Sequence, residues 1–146
     1  MFPHQEHSNA TSYLKVMVVD DTLWTLSQIQ GFLQEAGIEC DGCTCLNDAI
    51  ARLRRSPSKY GLVFLNISFG RKSAGLEAAK IISGLGTTFP PKVIGMTGVQ
   101  DQYDYKNPRL WGMHDIIKKP LFKWLVVNLA RDFCSVSDRS QIRRHA

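Results

Sequence analysis

Leu62-Val63-Phe64-Leu65-Asn66-Ile67-Ser68 is the stretch from which the rest of the chain can be read. Four consecutive apolar residues, rich in β-formers, run straight into a polar amide. Such a run predicts a strand buried on both faces of a parallel sheet, delivering the Asn66 side chain to the sheet's carboxyl end. Open α/β sheets hold their sites at that end. Three other stretches fit strands converging on the same edge: Lys15-Val16-Met17-Val18-Val19 before Asp20-Asp21, Val93-Ile94-Gly95-Met96 before Thr97, and Asp115-Ile116-Ile117 before Lys118-Lys119-Pro120. Two acids, an amide, a hydroxyl and an ammonium are thereby predicted to meet.

The segments between these strands have helical spacing. Leu23, Leu26, Ile29, Phe32, Leu33 and Ala36 form one stripe, stopped by Gly37. Ile38 to Cys45 are expected to form a second, short strand with its turn, with Cys43 and Cys45 on one face. Asn47 then suits an N-cap for a helix carrying Ala49, Ile50 and Leu53, broken by Ser56-Pro57-Ser58. The polar loop from Ser68 to Gly75 introduces a helix through Leu76, Ala79, Ile82 and Leu85. A short polar helix is expected from about Val99 to Lys106, disturbed by Asn107-Pro108. After Pro120, the stripe Leu121, Phe122, Trp124, Leu125, Leu129, Ala130 and Phe133 is expected to pack back on the sheet.

Strand and helix alternate five times, and right-handed crossovers then give an α/β, doubly wound, five-stranded parallel sheet covered on both faces. The domain is expected to span residues 14–133. Residues 1–13 read as a polar, mobile leader, and 134–146 as a disordered basic tail or the start of a linker.

A chain of 146 residues with 44% hydrophobic and 21% charged residues is one domain with a real core. It carries no apolar run long enough to span a membrane and no secretory start, so the expected setting is cytoplasmic. The net charge of +5 is scattered, without a helix-turn-helix pattern or an aromatic stacking platform, which argues against a nucleic-acid role. Cys40-Asp41-Gly42-Cys43 contains a CxxC step. Cys134 is remote and has no adjacent His, so the cysteines read as small apolar residues rather than zinc ligands. His114, beside Asp115, reads as structural.

With Asp20-Asp21 after the first strand, the Leu62 to Leu65 strand, Gly75 opening a helix, Thr97 after the fourth strand and Lys119-Pro120 after the fifth, the chain resembles a response-regulator receiver domain of two-component signalling. The resemblance covers about Leu14 to Phe133 and implies the flavodoxin-like (βα)5 fold. It also implies roles. The acidic pair Asp20 and Asp21 would hold Mg²⁺, Thr97 and Lys119 would bind phosphoryl oxygens, and the Lys-Pro bond would be cis. The residue ending the central strand would be an aspartate accepting a phosphoryl group from a histidine kinase or phosphotransfer protein. Here that residue is Asn66.

A carboxylate attacks phosphorus as an anionic nucleophile. The Asn amide is neutral, its nitrogen lone pair is delocalised, and its oxygen is a poor nucleophile, so the usual acyl phosphate cannot form. Losing a carboxylate also weakens a Mg²⁺ site, since that ion prefers charged oxygens. The expected cofactor is therefore Mg²⁺ held weakly or not at all. The metal-free pocket, in turn, has less like-charge repulsion to tolerate.

The leading expectation is a non-enzymatic pseudo-receiver, a phosphorylation-independent interaction module for a histidine kinase, a phosphotransfer protein or another regulator. Leu23 and Trp24, directly after the acidic pair, are the partner-binding candidates. Ile116 stands where the family often has a switching aromatic. The alternatives are an ordinary phosphoacceptor inactivated by substitution at position 66, with Ser68 as a weak substitute, and a flavodoxin-like binder of a small ligand or nucleic acid. No glycine-rich phosphate loop follows the first strand to support the last. The sequence carries no signal for an oligomeric state.

Overall fold

The computed structural model describes residues 12–69, 74–86, 89–98 and 107–136. In chain order these form β1 (Lys15–Val19), α1 (Leu23–Glu35), β2 (Cys40–Cys43), α2 (Leu46–Arg55), a 3-10 turn (Pro57–Lys59), β3 (Tyr60–Asn66), α3 (Ala74–Ser83), β4 (Lys92–Thr97), a second 3-10 turn (Pro108–Trp111), β5 (Asp115–Lys118) and α4 (Lys123–Cys134). The strands make one parallel sheet in the order β2-β1-β3-β4-β5. The connections from β1 and β3 leave towards opposite edges, so a crevice opens where the two strands end side by side. Val19 pairs with Leu65 there, and the next residues along the two strands are Asp20 and Asn66.

Alternation along the strands divides the core in two. Val16, Val18, Leu62, Phe64, Ile94 and Met96 face α1 and α4, where Leu26, Ile29, Leu33, Val126 and Ala130 cover them. Met17, Val19, Val63 and Leu65 face the other way, onto Leu53 of α2 and Leu76, Ala79 and Ile82 of α3. With both faces covered, β3 is buried along its whole length, as its unbroken apolar run requires. Gly37 closes α1 at φ +76°, a conformation that a side chain disfavours. Gly75 has a different reason. A methyl group there would collide with the carbonyl oxygen of Ile67, so glycine lets α3 start hard against the end of the central strand.

Three local expectations need correction. β2 lies within the stretch read as the second strand and its turn, but Cys43 and Cys45 do not share a face: Cys43 is buried, whereas Cys45 is exposed at the N-cap of α2. Asn47 lies inside that helix rather than capping it. Leu46 packs against the core, and its burial starts the helix ahead of the better capping residue. Along α4, the buried stripe is Val126, Val127, Ala130 and Cys134. Phe122 and Trp124, expected to face the sheet, are 58% and 65% exposed, because the helix presents the neighbouring Val126–Val127 side to it.

The short helix expected over 99–106 lies outside the described residues, as do residues 1–11 and 137–146. At the margins of the domain, Tyr13 forms a bridge with Ser135, and the Leu14 N–H donates to the Cys134 carbonyl at 2.8 Å. Among the described residues no helix is long and apolar enough to cross a membrane.

Candidate functional site

Asp20, Asp21, Asn66 and Lys119 meet through their side chains at the strand ends, and Thr97 joins them through its backbone. Asp20 directly follows β1 and is fully buried. Its Oδ1 accepts the Thr22 N–H at 2.9 Å, which sets the turn into α1, and its Oδ2 accepts from the Lys119 ammonium at 2.8 Å. Asp21, one residue on, is exposed. Asn66, at the end of β3, is buried between them: its Nδ2 lies 3.2 Å from Asp21 Oδ1 and 3.4 Å from Asp20 Oδ1, and its Oδ1 accepts the Ser68 N–H at 3.3 Å. These partners dictate the amide's orientation, since two carboxylates require donors and a backbone N–H requires an acceptor. Thr97 is buried at the end of β4, and its carbonyl accepts the Lys119 N–H at 2.8 Å. The Lys119-Pro120 peptide bond is cis.

The donor set is therefore two carboxylates, one of them occupied by an ammonium, and an amide that turns its nitrogen towards both. That arrangement satisfies the acids with hydrogen bonds, whereas a divalent cation would need hard oxygens converging on one point. Among the described residues, no group of three or more His, Cys, Asp or Glu side chains could hold a metal ion. The cysteines of β2 have a different character. Burial, assisted by the Asp41 carboxylate, pushes the Cys40 thiol up to about 12, which keeps it protonated and unreactive at neutral pH.

On the rim, Leu23 and Trp24 open α1 with 71% and 74% of their surface exposed. Ile116 is half-buried against the α2/α3 side of the core. Sequence reasoning missed a second exposed apolar feature. Phe122 and Trp124 flank a groove of about 550 Å³ between α4 and the end of α1 at Glu35 and Ala36. The pair Val126-Val127 followed by Ala130 and Cys134 was the signal that this other stripe would take the core.

Comparison with known proteins agrees with the fold. The receiver domain of NtrX from Brucella abortus superimposes with a TM-score of 0.68 at 23% identity, covering 81% of this chain and 96% of that one. A two-component response regulator from Clostridium difficile gives 0.69 at 25% identity, with 82% and 94% covered. A CheY-like receiver domain protein from Methanospirillum hungatei JF-1 gives 0.66 at 20% identity, with 82% and 92% covered. Against the longer NtrX chain the match spans 29% of that protein's length. No match is found among the curated proteins. The profile of the response regulator receiver domain matches residues 16–129, and with the sheet order and the strand-end pocket it establishes that the chain belongs to the receiver-domain family of two-component response regulators.

Proposed function

We propose that this chain is a receiver module that signals by protein–protein contact and does not form an aspartyl phosphate. One observation carries the reading: at the end of the central strand stands the Asn66 amide, with its nitrogen turned towards both acidic carboxylates. An amide there is no nucleophile for phosphorus. Its N–H groups and the Lys119 ammonium together answer the negative charge of Asp20 and Asp21, work that a metal ion would otherwise do. Mg²⁺ binding is accordingly weak or absent, the pocket holds one resting conformation, and the module is not an enzyme. Receiver domains of response regulators work with histidine kinases or phosphotransfer proteins. For this chain such a protein, or another regulator in the cytoplasm, is the partner, with Leu23 and Trp24 as exposed anchors beside the pocket.

A second reading is favoured by the retention of Thr97 and Lys119 beside position 66: a phosphoacceptor pocket lacking only its nucleophile. One experiment separates the two. Parent and Asn66→Asp proteins are incubated with acetyl phosphate and Mg²⁺, and intact mass is read for an added phosphoryl group. A parent that stays unlabelled supports the proposal, and rapid labelling of the parent, at Ser68 or elsewhere in the pocket, overturns it. Labelling of Asn66→Asp would show a pocket that lacks only its carboxylate.

A further inference from the structure

The opposite end of the sheet carries a feature unrelated to position 66. Lys92 begins β4 and Thr97 ends it, so the two lie roughly 17 Å apart at about 3.3 Å per residue. Around Lys92 is a cavity of about 210 Å³ with Pro90, Pro91 and Met113 as its apolar walls. Lys92, Arg109 and His114 supply its nitrogen bases, and no carboxylate is among the described residues that line it.

These three bases come from three separate segments held together by the backbone. The His114 N–H donates to the Val93 carbonyl at 2.7 Å, fixing the turn before β5 against β4. Arg109, from the second 3-10 turn, donates through Nε to the His114 carbonyl at 3.3 Å and sets Nη2 3.3 Å from His114 Nδ1. A guanidinium only donates, so Nδ1 accepts and the neutral ring carries its proton on Nε2. The Phe133 ring meets the imidazole edge-on, 4.7 Å between centroids. Burial, and then the charges of Arg109 and Lys92, hold the His114 pKa below its ordinary value, against a smaller opposing influence from Asp115. The Asp115 carboxylate instead accepts the Ile116 N–H at 2.8 Å. The positive charge around the cavity is thus incompletely neutralised among the described residues.

We propose that this cavity is a binding site for a small phosphorylated molecule, whose oxyanion is held by Lys92, Arg109 and His114. Size supports a small ligand: drug-sized pockets begin at roughly 300 Å³, whereas this one has room for a phosphoryl group and a short stem. Arg109 gives the site planar donors suited to a phosphate, and Lys92 gives it a mobile point charge. A bound anion offsets the repulsion of Arg109 and Lys92 on the imidazolium, and as Arg109 Nη2 leaves Nδ1 for the ligand that nitrogen can take a proton, so the ligand and a proton on the ring favour each other.

The test uses the full chain with pyrophosphate as the probe, at ionic strength held constant with sodium chloride, following the His114 ring by NMR. The expected result is a saturable shift of the ring signals, a rise in the His114 pKa, and binding weakened about tenfold or more in Arg109→Gln and in Lys92→Gln. Thermal melts report whether each variant folds. Lys92 is an exposed residue at a strand start, so Lys92→Gln keeps the test available if Arg109→Gln does not fold. No saturable shift, an equal shift with chloride alone, or unchanged binding in a folded variant overturns the site. Tighter binding of a phosphoserine peptide than of pyrophosphate overturns the small-molecule assignment.

Discussion

The ammonium of Lys119 lies 2.8 Å from the fully buried carboxylate of Asp20, joining the ends of β5 and β1 across 99 residues of chain. Removing one member of such a pair strands the other as an uncompensated buried charge, which costs about 3–5 kcal/mol. Lys119→Met is expected to lower unfolding stability by about 3 kcal/mol, towards the low end because the lysine side chain keeps 26% of its surface in solvent. Urea unfolding measures this. The double variant Asp20→Asn, Lys119→Met should recover much of the loss, and a double variant no better than Lys119→Met alone would show that the pair is not what stabilises the pocket.

Asn66→Asp replaces a donor by a third carboxylate, 3.2–3.4 Å from its neighbours by the present Nδ2 position. Without metal, the like charges should destabilise the fold by about 1–3 kcal/mol after screening. Millimolar Mg²⁺ should restore the variant's melting temperature while leaving the parent's unchanged. A parent stabilised by Mg²⁺ as strongly as the variant would mean that the amide does not weaken the metal site.

Gly75→Ala tests the close approach of α3 to the central strand. The new methyl group meets the backbone carbonyl of Ile67, which cannot swing aside as a side chain end can. Overpacking of this kind costs about 1–3 kcal/mol, and here α3 must shift to relieve it. Denaturant unfolding should show that loss, with hydrogen exchange accelerated at the start of α3. A stability equal to the parent's would mean that the helix start is free to move.

Acid should reveal His114. Its native pKa lies below the ordinary 6.5, because burial and the flanking Arg109 and Lys92 disfavour the imidazolium. The unfolded chain therefore takes up this proton first as pH falls. The stability associated with the neutral ring is complete above pH 6.5 and is lost progressively from there down to the depressed native value. Melting temperatures from pH 8 to pH 5, compared between the parent and His114→Gln, should show a decline at about pH 6.5 and below that is smaller in the variant. Parallel curves for the two proteins would rule His114 out as its source.

Much of this protein is determined locally. The apolar run of β3, the acids after β1 and the lysine-proline step after β5 are covalent facts, and strand burial follows from a period that neighbouring residues display among themselves. The chemistry of position 66 is of the same kind, since an amide is no nucleophile wherever it is placed. Tertiary packing decided the rest. Whether α4 would bury Trp124 or Val127 depended on which stripe met the sheet, and both stripes had helical spacing. Leu46, not Asn47, set the start of α2 because core contact outweighed capping. The direction of the Asn66 amide depended on two carboxylates that lie 45 and 46 residues away in sequence, and the basic cavity depended on three segments that touch only after the sheet has formed. Periodicity along a chain reports which residues share a face. Which face is covered, and which distant charges meet there, is settled by the competition of whole elements for the same sheet.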